Sequence, residues 1–97
     1  MNLSSKPLQN PAVLTRKIFD SEMVLVNADS AVSLALTNQT AVIVWEMADG
    51  KNSVQDIIDG VKRQFQNVPE AVSTDIQDLI ELLDRDGFIG FEWDGQS

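Results

Sequence analysis

Three helices are delimited by the segment Leu36-Thr37-Asn38-Gln39-Thr40-Ala41 and then by Trp45-Glu46, Asp49-Gly50, Ser53-Val54, Asp75-Ile76 and Gly87-Phe88-Ile89. Asn38 is a favourable N-cap, because its side-chain oxygen can accept hydrogen bonds from the unpaired amides of a first helical turn. Gly50 supplies the left-handed residue at which a helix commonly ends. The helix between them is apolar on nearly every side, which predicts that it is buried at the centre of the domain. Its apolar residues are Ala41, Val42, Ile43, Val44, Trp45, Met47 and Ala48.

Two further helices follow. Ser53 is placed to cap the second helix, with Asp56 three residues on as in a capping box. This helix is amphipathic, because apolar residues recur at helical spacing: Val54, Ile57, Ile58, Val61 and Phe65. Pro69 suits the first turn of a third helix, Glu70–Asp86, which Gly87 ends. Its inner stripe consists of Val72, Ile76, Leu79, Ile80 and Leu83.

The N-terminal third of the chain is typical of short strands. Val13–Phe19, Met23–Ala28 and Val32–Leu36 are rich in β-branched and aliphatic residues, and the last of these alternates large and small side chains with period two. Asp20-Ser21-Glu22 and Asp29-Ser30 are short turn signals between them. Turns this short predict a three-stranded antiparallel meander, in which the third strand lies at an edge.

The resulting fold class is α+β, with an N-terminal three-stranded antiparallel sheet followed by a three-helix winged-helix-like core. The segment Phe88–Trp93 is predicted to be extended and resembles the wing of a winged helix, although the sequence does not fix its role. Residues 1–10 are predicted to be a flexible tail, because Pro7 and Pro11 block regular pairing. The domain therefore spans residues 11–93, and residues 94–97 form a short C-terminal tail.

Composition limits the chemistry that this chain can perform. Its 97 residues include no cysteine and no histidine, which removes the commonest metal ligands and the usual general base. We therefore predict no catalytic residue, no metal site and no cofactor. The net charge is −8, and the acidic excess lies in residues 38–97, so the surface repels nucleic-acid phosphates and anionic membranes. Because no apolar run is long enough to cross a membrane and no export signal is present, we expect a cytoplasmic location.

The order and spacing of the helix-delimiting residues resemble the PqqD family, small proteins first associated with coenzyme PQQ synthesis. The resemblance covers about residues 11–91. In the first two helices it is carried by Asn38, Thr40, Ala41, Trp45, Asp49, Gly50, Ser53, Val54, Ile57, Ile58 and Phe65. In the last helix it is carried by Asp75, Ile76, Leu79, Ile80, Leu83, Gly87, Phe88 and Ile89. The chain departs from the family at Thr37, where a leucine is usual, and in a longer segment after Gly87.

The resemblance implies a binding module and not an enzyme. Such domains recognise ribosomally made, post-translationally modified peptides (RiPPs). They capture the leader of a precursor peptide and present its core to a modifying enzyme, often a radical-SAM protein. In the family the leader adds as an extra strand beside the third strand, in the groove between that strand and the third helix. Carried over, the resemblance implies a peptide-binding site at Val32, Ser33, Leu34, Ala35 and Leu36 and on the outward flank of the third helix.

That flank follows from helix geometry. Successive residues turn by about 100°, so Asp75, Asp78, Leu82 and Asp86 lie on one side of the apolar stripe. Leu79, which belongs to the stripe, is the remaining candidate residue of this helix. We expect Leu82 to receive an apolar leader residue and the three carboxylates to engage basic ones. The alternative is a solvated acidic face, in which Asp75 interacts only with the helix dipole.

Two alternatives to peptide binding fit the sequence less well. In a winged-helix nucleic-acid-binding protein, Glu70–Asp86 would be the recognition helix, yet it carries six acids and one base, the reverse of what phosphates require. An acidic carrier protein needs a modifiable serine at a helix start, whereas Ser30 lies in a predicted turn. The sequence leaves open whether the pathway makes PQQ, a lasso peptide or another modified peptide. It also leaves open a monomer or a weak homodimer.

Overall fold

The structure is a computed structural model that describes residues 2–65 and 68–91. The described residues form strands and helices in the order β1 (Pro7–Gln9), β2 (Val13–Phe19), β3 (Glu22–Asn27), β4 (Ser33–Leu36), α1 (Gln39–Met47), α2 (Val54–Gln64), α3 (Val72–Arg85) and β5 (Ile89–Phe91). The predicted α+β class is confirmed. Trp93 and the predicted C-terminal tail, residues 94–97, lie outside the described residues.

The larger sheet has the antiparallel order β2-β3-β4, so β2 and β4 are its two edge strands. Side chains alternate between the two faces of a strand. Met23, Leu25 and Asn27 of β3 are buried, whereas Val24 and Val26 between them are partly exposed. One face of the sheet therefore packs on the core, and the opposite face, called the outer sheet face below, is turned away from it.

A second, two-stranded sheet joins the two ends of the described chain. β1 and β5 are antiparallel, with Leu8 opposite Gly90. The prediction of a flexible tail is therefore wrong for residues 7–9. Pro7 is compatible with a strand because it is the first residue and because its carbonyl oxygen accepts a hydrogen bond from the Gly50 amide at 2.8 Å. The extended segment predicted after the third helix is β5, and its partner is β1, so the winged-helix assignment is not confirmed.

The N-terminal segment is held against the turn between α1 and α2. The side-chain Nε2 of Gln9 donates to the Trp45 carbonyl at 2.8 Å. Within the turn, the Asp49 carboxylate accepts hydrogen bonds from the backbone amides of Lys51 and Asn52. These hydrogen bonds hold the pKa of Asp49 below its ordinary value, because they stabilise the charged form. Residues 7–9 are therefore part of the folded domain.

The first two helices begin at the predicted capping residues. The Asn38 side chain accepts a hydrogen bond from the Ala41 amide at 2.8 Å. Ser53 and Asp56 make both halves of the capping box. Gly50 has a φ of +79°, the left-handed conformation that was expected after α1. These local signals fix where the helices lie along the chain.

The third helix is shorter than the predicted helix Glu70–Asp86. It runs from Val72 to Arg85. Pro69 lies in the turn that precedes it, where its carbonyl accepts a hydrogen bond from the Val72 amide at 3.1 Å. The Ser73 amide likewise donates to the Glu70 carbonyl at 3.4 Å, so the residues before α3 form a tighter turn with bonds three residues apart and not an α-helix.

The core is formed where the three helices meet the inner face of the larger sheet. Trp45 is 2% exposed, so its predicted place in the core is confirmed. The other buried apolar residues are Met23, Leu25, Leu36, Ala41, Val42, Ile43, Val44, Ala48, Val54, Ile57, Ile58, Val61, Ile76, Ile80, Leu83, Phe88 and Ile89. None of the helices in the described part of the chain is long and apolar enough to cross a membrane.

The buried side-chain amide of Asn27 forms hydrogen bonds that connect the larger sheet to the end of α3. Asn27 is 4% exposed, and its Nδ2 donates to the Gly87 carbonyl at 3.0 Å while its Oδ1 accepts from the Asp29 amide at 2.9 Å. Asn10 donates to the same Gly87 carbonyl at 2.9 Å. Gly87 has a φ of +81°, a conformation that glycine adopts without strain.

Replacing Gly87 tests this junction. Gly87→Ala is expected to lower the free energy of unfolding by about 1–2 kcal/mol, because the left-handed conformation strains a residue with a side chain. A Cβ at this position also lies 3.2 Å from the Asn27 Nδ2. Gly90→Ala is the matched control, since a Cβ there meets no atom within 4 Å, and its effect is expected to stay within about 0.5 kcal/mol. Urea denaturation measures both variants, and equal losses would contradict the assignment.

Candidate functional site: the free edge of β4

The backbone of β4 is divided between its neighbour β3 and the opposite side. The Asn27 amide donates to the Val32 carbonyl at 2.9 Å. In an antiparallel ladder, hydrogen-bonded residues alternate with residues that are not bonded to that neighbour. Two positions further along, Leu34 therefore directs its backbone groups toward β3. Ser33 and Ala35 direct their amides and carbonyls away from β3, to an edge that no other described strand occupies.

The two edges of the larger sheet differ in their protection against an added strand. β2 carries Arg16 and Lys17 and has a register shift between Lys17 and Phe19. Charged side chains and bulges of this kind protect an edge strand from pairing. β4 has the sequence Ser33-Leu34-Ala35-Leu36, without a charge or a proline, and its register with β3 is regular. The edge of β4 is therefore the unprotected one.

Two of the four side chains of β4 pack on the core. Leu36 is 3% exposed and belongs to the core, and Leu34 packs against it. Ser33 and Ala35 are exposed on the outer sheet face. Val32 was predicted to begin this strand, but it precedes it and is 43% exposed. What β4 offers to another chain is its backbone and not its leucine side chains.

The two ends of α3 lie close to residues that flank β4 in the chain. Near the start of β4, the side chain of Asn27, the last residue of β3, donates a hydrogen bond to the Gly87 carbonyl at the end of α3. Near the end of β4, Asn38 lines a cavity together with Asp75 of α3. Residues 32–38, which include β4, span roughly 20 Å if extended, and the stretch 75–87 of α3 and its end spans roughly 18 Å. Strand and helix are thus matched in length along the candidate groove.

The cavity at the end of this groove, called the notch below, has a volume of about 170 Å³. It is lined by Asn38, Thr40, Ala41, Asp75, Ile76 and Leu79. Since an apolar cavity of about 150 Å³ can hold benzene, the notch has room for one aliphatic side chain. Asp75 is exposed and is the one charged residue among those lining it. Sequence reasoning identified Asn38 as a cap but missed that the start of α1 would line the site.

The predicted residues on α3 lie at different angles around the helix. At about 100° per residue, Leu79 lies about 60° from Ile76, Asp75 about 100°, Leu82 about 120° and Asp78 about 160°, all on the same side. The structure brings Asp75 and Leu79 together in the notch. Leu82 is half-buried further along that flank. Asp78 is exposed and points almost directly away from the core.

The remaining acidic residues of α3 have other surroundings. Asp86 is half-buried and forms an ion pair with Arg85 at 3.7 Å, so part of its charge is already compensated. Glu81 and Asp84 belong to the other flank, where they line a separate hollow of about 240 Å³. Within residues 2–65 and 68–91, no group of three or more acidic side chains is arranged to hold a metal ion.

The sequence matches the family model described as Coenzyme PQQ synthesis protein D (PqqD) over residues 22–89, more than half of the chain. The chain belongs to the PqqD family. The match runs from β3 to β5, so it includes β4, all three helices and the notch. No curated protein matches the sequence.

The fold of this PqqD-family chain is similar to that of a solved structure, "TbiB1 in Complex with the TbiA(beta) Leader Peptide". The TM-score is 0.72 at 18% sequence identity, and the alignment covers 84% of this chain and 93% of the other. At this identity the similarity establishes a shared fold. The leader peptide belongs to the structure of that other protein.

Hydrogen exchange tests whether the edge of β4 is free. In the isolated PqqD-family chain, the amides of Ser33 and Ala35 are expected to exchange at least about tenfold faster than those of Leu34 and Leu36, because only the latter are bonded to β3. Exchange rates measured residue by residue by NMR check this alternation. Equal protection of all four amides would mean that the edge is covered.

Proposed function

We propose that this protein captures the leader segment of a ribosomally made precursor peptide by strand addition at β4 and presents the peptide to a modifying enzyme. The observation that carries the proposal is the edge of β4, where Ser33 and Ala35 hold backbone groups in strand geometry that no other strand of residues 2–65 and 68–91 pairs with. Membership in the PqqD family and the shared fold with a protein solved with a leader peptide support it.

Backbone pairing alone is too weak to hold a peptide. Ser33 and Ala35 offer two donors and two acceptors, and each such hydrogen bond contributes a net ~0.5–1.5 kcal/mol. Association costs about 4–15 kcal/mol, so the hydrogen bonds need help from buried side chains. One apolar side chain contributes about 1.5–3 kcal/mol when fully buried. The notch beside β4 is the nearest place for such an anchor.

The notch also suggests what kind of leader residue binds there. Ala41, Ile76 and Leu79 give it an apolar lining, and Asp75 adds a negative charge. We infer a leader with one aliphatic residue for the notch and a basic residue beside it. Leu82 extends the apolar flank, while Val32, Asp78 and Asp86 lie at the periphery of the proposed site. The proposed contacts with the peptide are therefore the backbone groups of Ser33 and Ala35 and the side chains of Asp75, Leu79 and Leu82, while Leu34 and Leu36 hold β4 on β3 and the core.

The proposed role is non-catalytic. A separate modifying enzyme, such as a radical-SAM protein, would act on the core of the peptide while the leader remains on β4. Only a short segment of peptide fits along the roughly 10 Å of β4, so the rest of the precursor stays accessible to that enzyme. Because the precursor is made on ribosomes, the proposed location is the cytoplasm. The modified product is not specified by these features.

A nucleic-acid-binding role is disfavoured by the charge of α3. The exposed residues of this helix include Asp75, Asp78, Glu81 and Asp84, and its one base is Arg85. A helix that contacts phosphates needs the opposite charge. A gel shift with duplex DNA is therefore expected to show no complex.

Removing one amide from the edge tests strand addition. Ala35→Pro is expected to weaken leader binding by at least about tenfold, because proline removes the donor and leaves a carbonyl of the peptide unpaired. The β3–β4 ladder should survive, since the Ala35 amide points away from β3 and proline is tolerated at such edge positions. Isothermal titration with a synthetic leader peptide that carries one aliphatic and one adjacent basic residue gives the affinity.

Ala35→Val is the matched control, because it changes the same side chain and keeps the amide. Circular dichroism should show the same fold for both variants. If Ala35→Pro bound the leader as well as Ala35→Val, strand addition at this edge would be excluded.

The role of Asp75 is tested by charge removal and salt. Asp75→Asn is expected to weaken binding of a leader with a basic residue by about two- to fivefold at low salt, because an exposed ion pair is lost. The difference from the unmodified protein should shrink as ionic strength rises, since salt screens exposed charges. Asp84→Asn, on the other flank of α3, is the control and should leave affinity unchanged. Equal effects of the two variants would contradict a specific contact at Asp75.

A further inference from the structure

One uncharged row of side chains crosses the outer sheet face and reaches the edge of β4. Ser33 lies opposite Val26 of β3, and Val26 lies opposite Leu14 of β2. Because opposite residues of an antiparallel pair share a face, these three side chains form a single row. Ser33 is exposed, Val26 is half-buried and Leu14 is 64% exposed. The apolar part of the row is therefore accessible from the β4 edge, over a small side chain.

The neighbouring row on the same face is different. Ala35 lies opposite Val24, and Val24 lies opposite Arg16. Glu22, two residues before Val24 on β3, also faces this side, since alternate residues of a strand share a face. The row that begins at Ser33 is thus the apolar one of the two.

A strand added at β4 continues the alternation of the sheet. The leader residue that lies opposite Ser33 then shares the outer sheet face with it, and the next leader residue faces the core and α3. The notch receives a side chain on the α3 side. A leader held at β4 therefore presents every second side chain to the outer sheet face, where the row from Ser33 to Leu14 continues.

The small side chain of Ser33 determines what can use this row. Val26 lies two strands away from the added leader, roughly 10 Å between backbones. A short leader side chain covers Ser33 alone, whereas an aromatic one can contact residues that are about 7–8 Å away. Lysine or arginine would reach as far, but the row contains no carboxylate with which to pair. The row thus suits an aromatic ring that lies flat across Ser33.

We propose that the outer sheet face holds a second anchor of the leader, an aromatic side chain opposite Ser33 that lies across Ser33 and packs on Val26. This inference rests on the proposed capture of a leader at β4. Leu14 closes the far end of the row. Because this anchor and the notch anchor face opposite sides of the added strand, the two leader residues are separated by an odd number of positions. The substrate class is therefore a leader with an aromatic and an aliphatic residue in that spacing.

A double-mutant cycle tests the second anchor. The probes are two synthetic leaders that differ only at the residue opposite Ser33, which NMR couplings between the peptide and Ser33 identify. With phenylalanine there, binding is expected to be about fivefold tighter than with alanine, because the ring covers apolar surface. Val26→Thr keeps the β-branched shape but adds a hydroxyl, and it should reduce this preference to less than about twofold. Isothermal titration gives the four affinities.

Phe19→Thr is the matched control. Phe19 is 64% exposed at the far end of β2, opposite Glu22, so this change should leave the preference for phenylalanine unaltered. The methyl resonances of Val26 provide a second readout. They should shift upfield when the phenylalanine leader binds, because the ring lies over them, and should stay in place with the alanine leader. Circular dichroism checks the fold of both variants.

The outcomes separate this inference from the proposed function. A leader that couples to Ser33 and Ala35 but shows no preference for phenylalanine would overturn the second anchor and leave strand addition intact. A preference that survives in Val26→Thr would also overturn it, since the ring would then lie elsewhere and the outer sheet face would serve another partner. A leader that binds without any coupling to β4 would remove the proposed function, and this inference with it.

Discussion

The carbonyl of Gly87 is the point on which the arrangement of the site depends. It accepts hydrogen bonds from Asn10 at 2.9 Å and from Asn27 at 3.0 Å, so a loop, the end of β3 and the end of α3 meet at one atom. Asn27 is buried, and losing a partner of a buried amide is costly. This junction sets one end of the groove between β4 and α3, and the helix cap at Asn38 sets the other.

The Gly87 junction and the Asn38 cap fix the two ends of the candidate site. β4 is the last strand of its sheet, and the antiparallel pattern leaves Ser33 and Ala35 with outward backbone groups. The protections found on β2, namely Arg16, Lys17 and a bulge, are missing from β4. An edge without such protection is a hazard in a protein that has no use for it. In a PqqD-family chain it is where we propose that a leader peptide is bound.

The sequence was sufficient for features that are decided locally. Asn38 and Ser53 are capping residues whose partners lie three residues away, and Gly87 is required by a single backbone conformation. The positions of β2, β3 and β4 followed from local alternation and turn residues, and the apolar sequence of α1 was enough to predict that Trp45 is buried. The pairing of β1 with β5 could not be predicted from local sequence. It joins segments about eighty residues apart, and Pro7 disfavours a strand locally. Helix periodicity predicted which residues share one flank of α3, but the notch depends on how α1 and α3 pack, which no single segment specifies.

The most direct test of the account is NMR detection of hydrogen bonds between the protein and a bound leader. Scalar couplings across hydrogen bonds connect an amide nitrogen of one chain to a carbonyl carbon of the other. With isotope-labelled protein and labelled peptide, the account predicts such couplings at Ser33 and Ala35 and none to the peptide at Leu34 or Leu36. Couplings confined to β2, or a bound peptide with no coupling to β4, would contradict it.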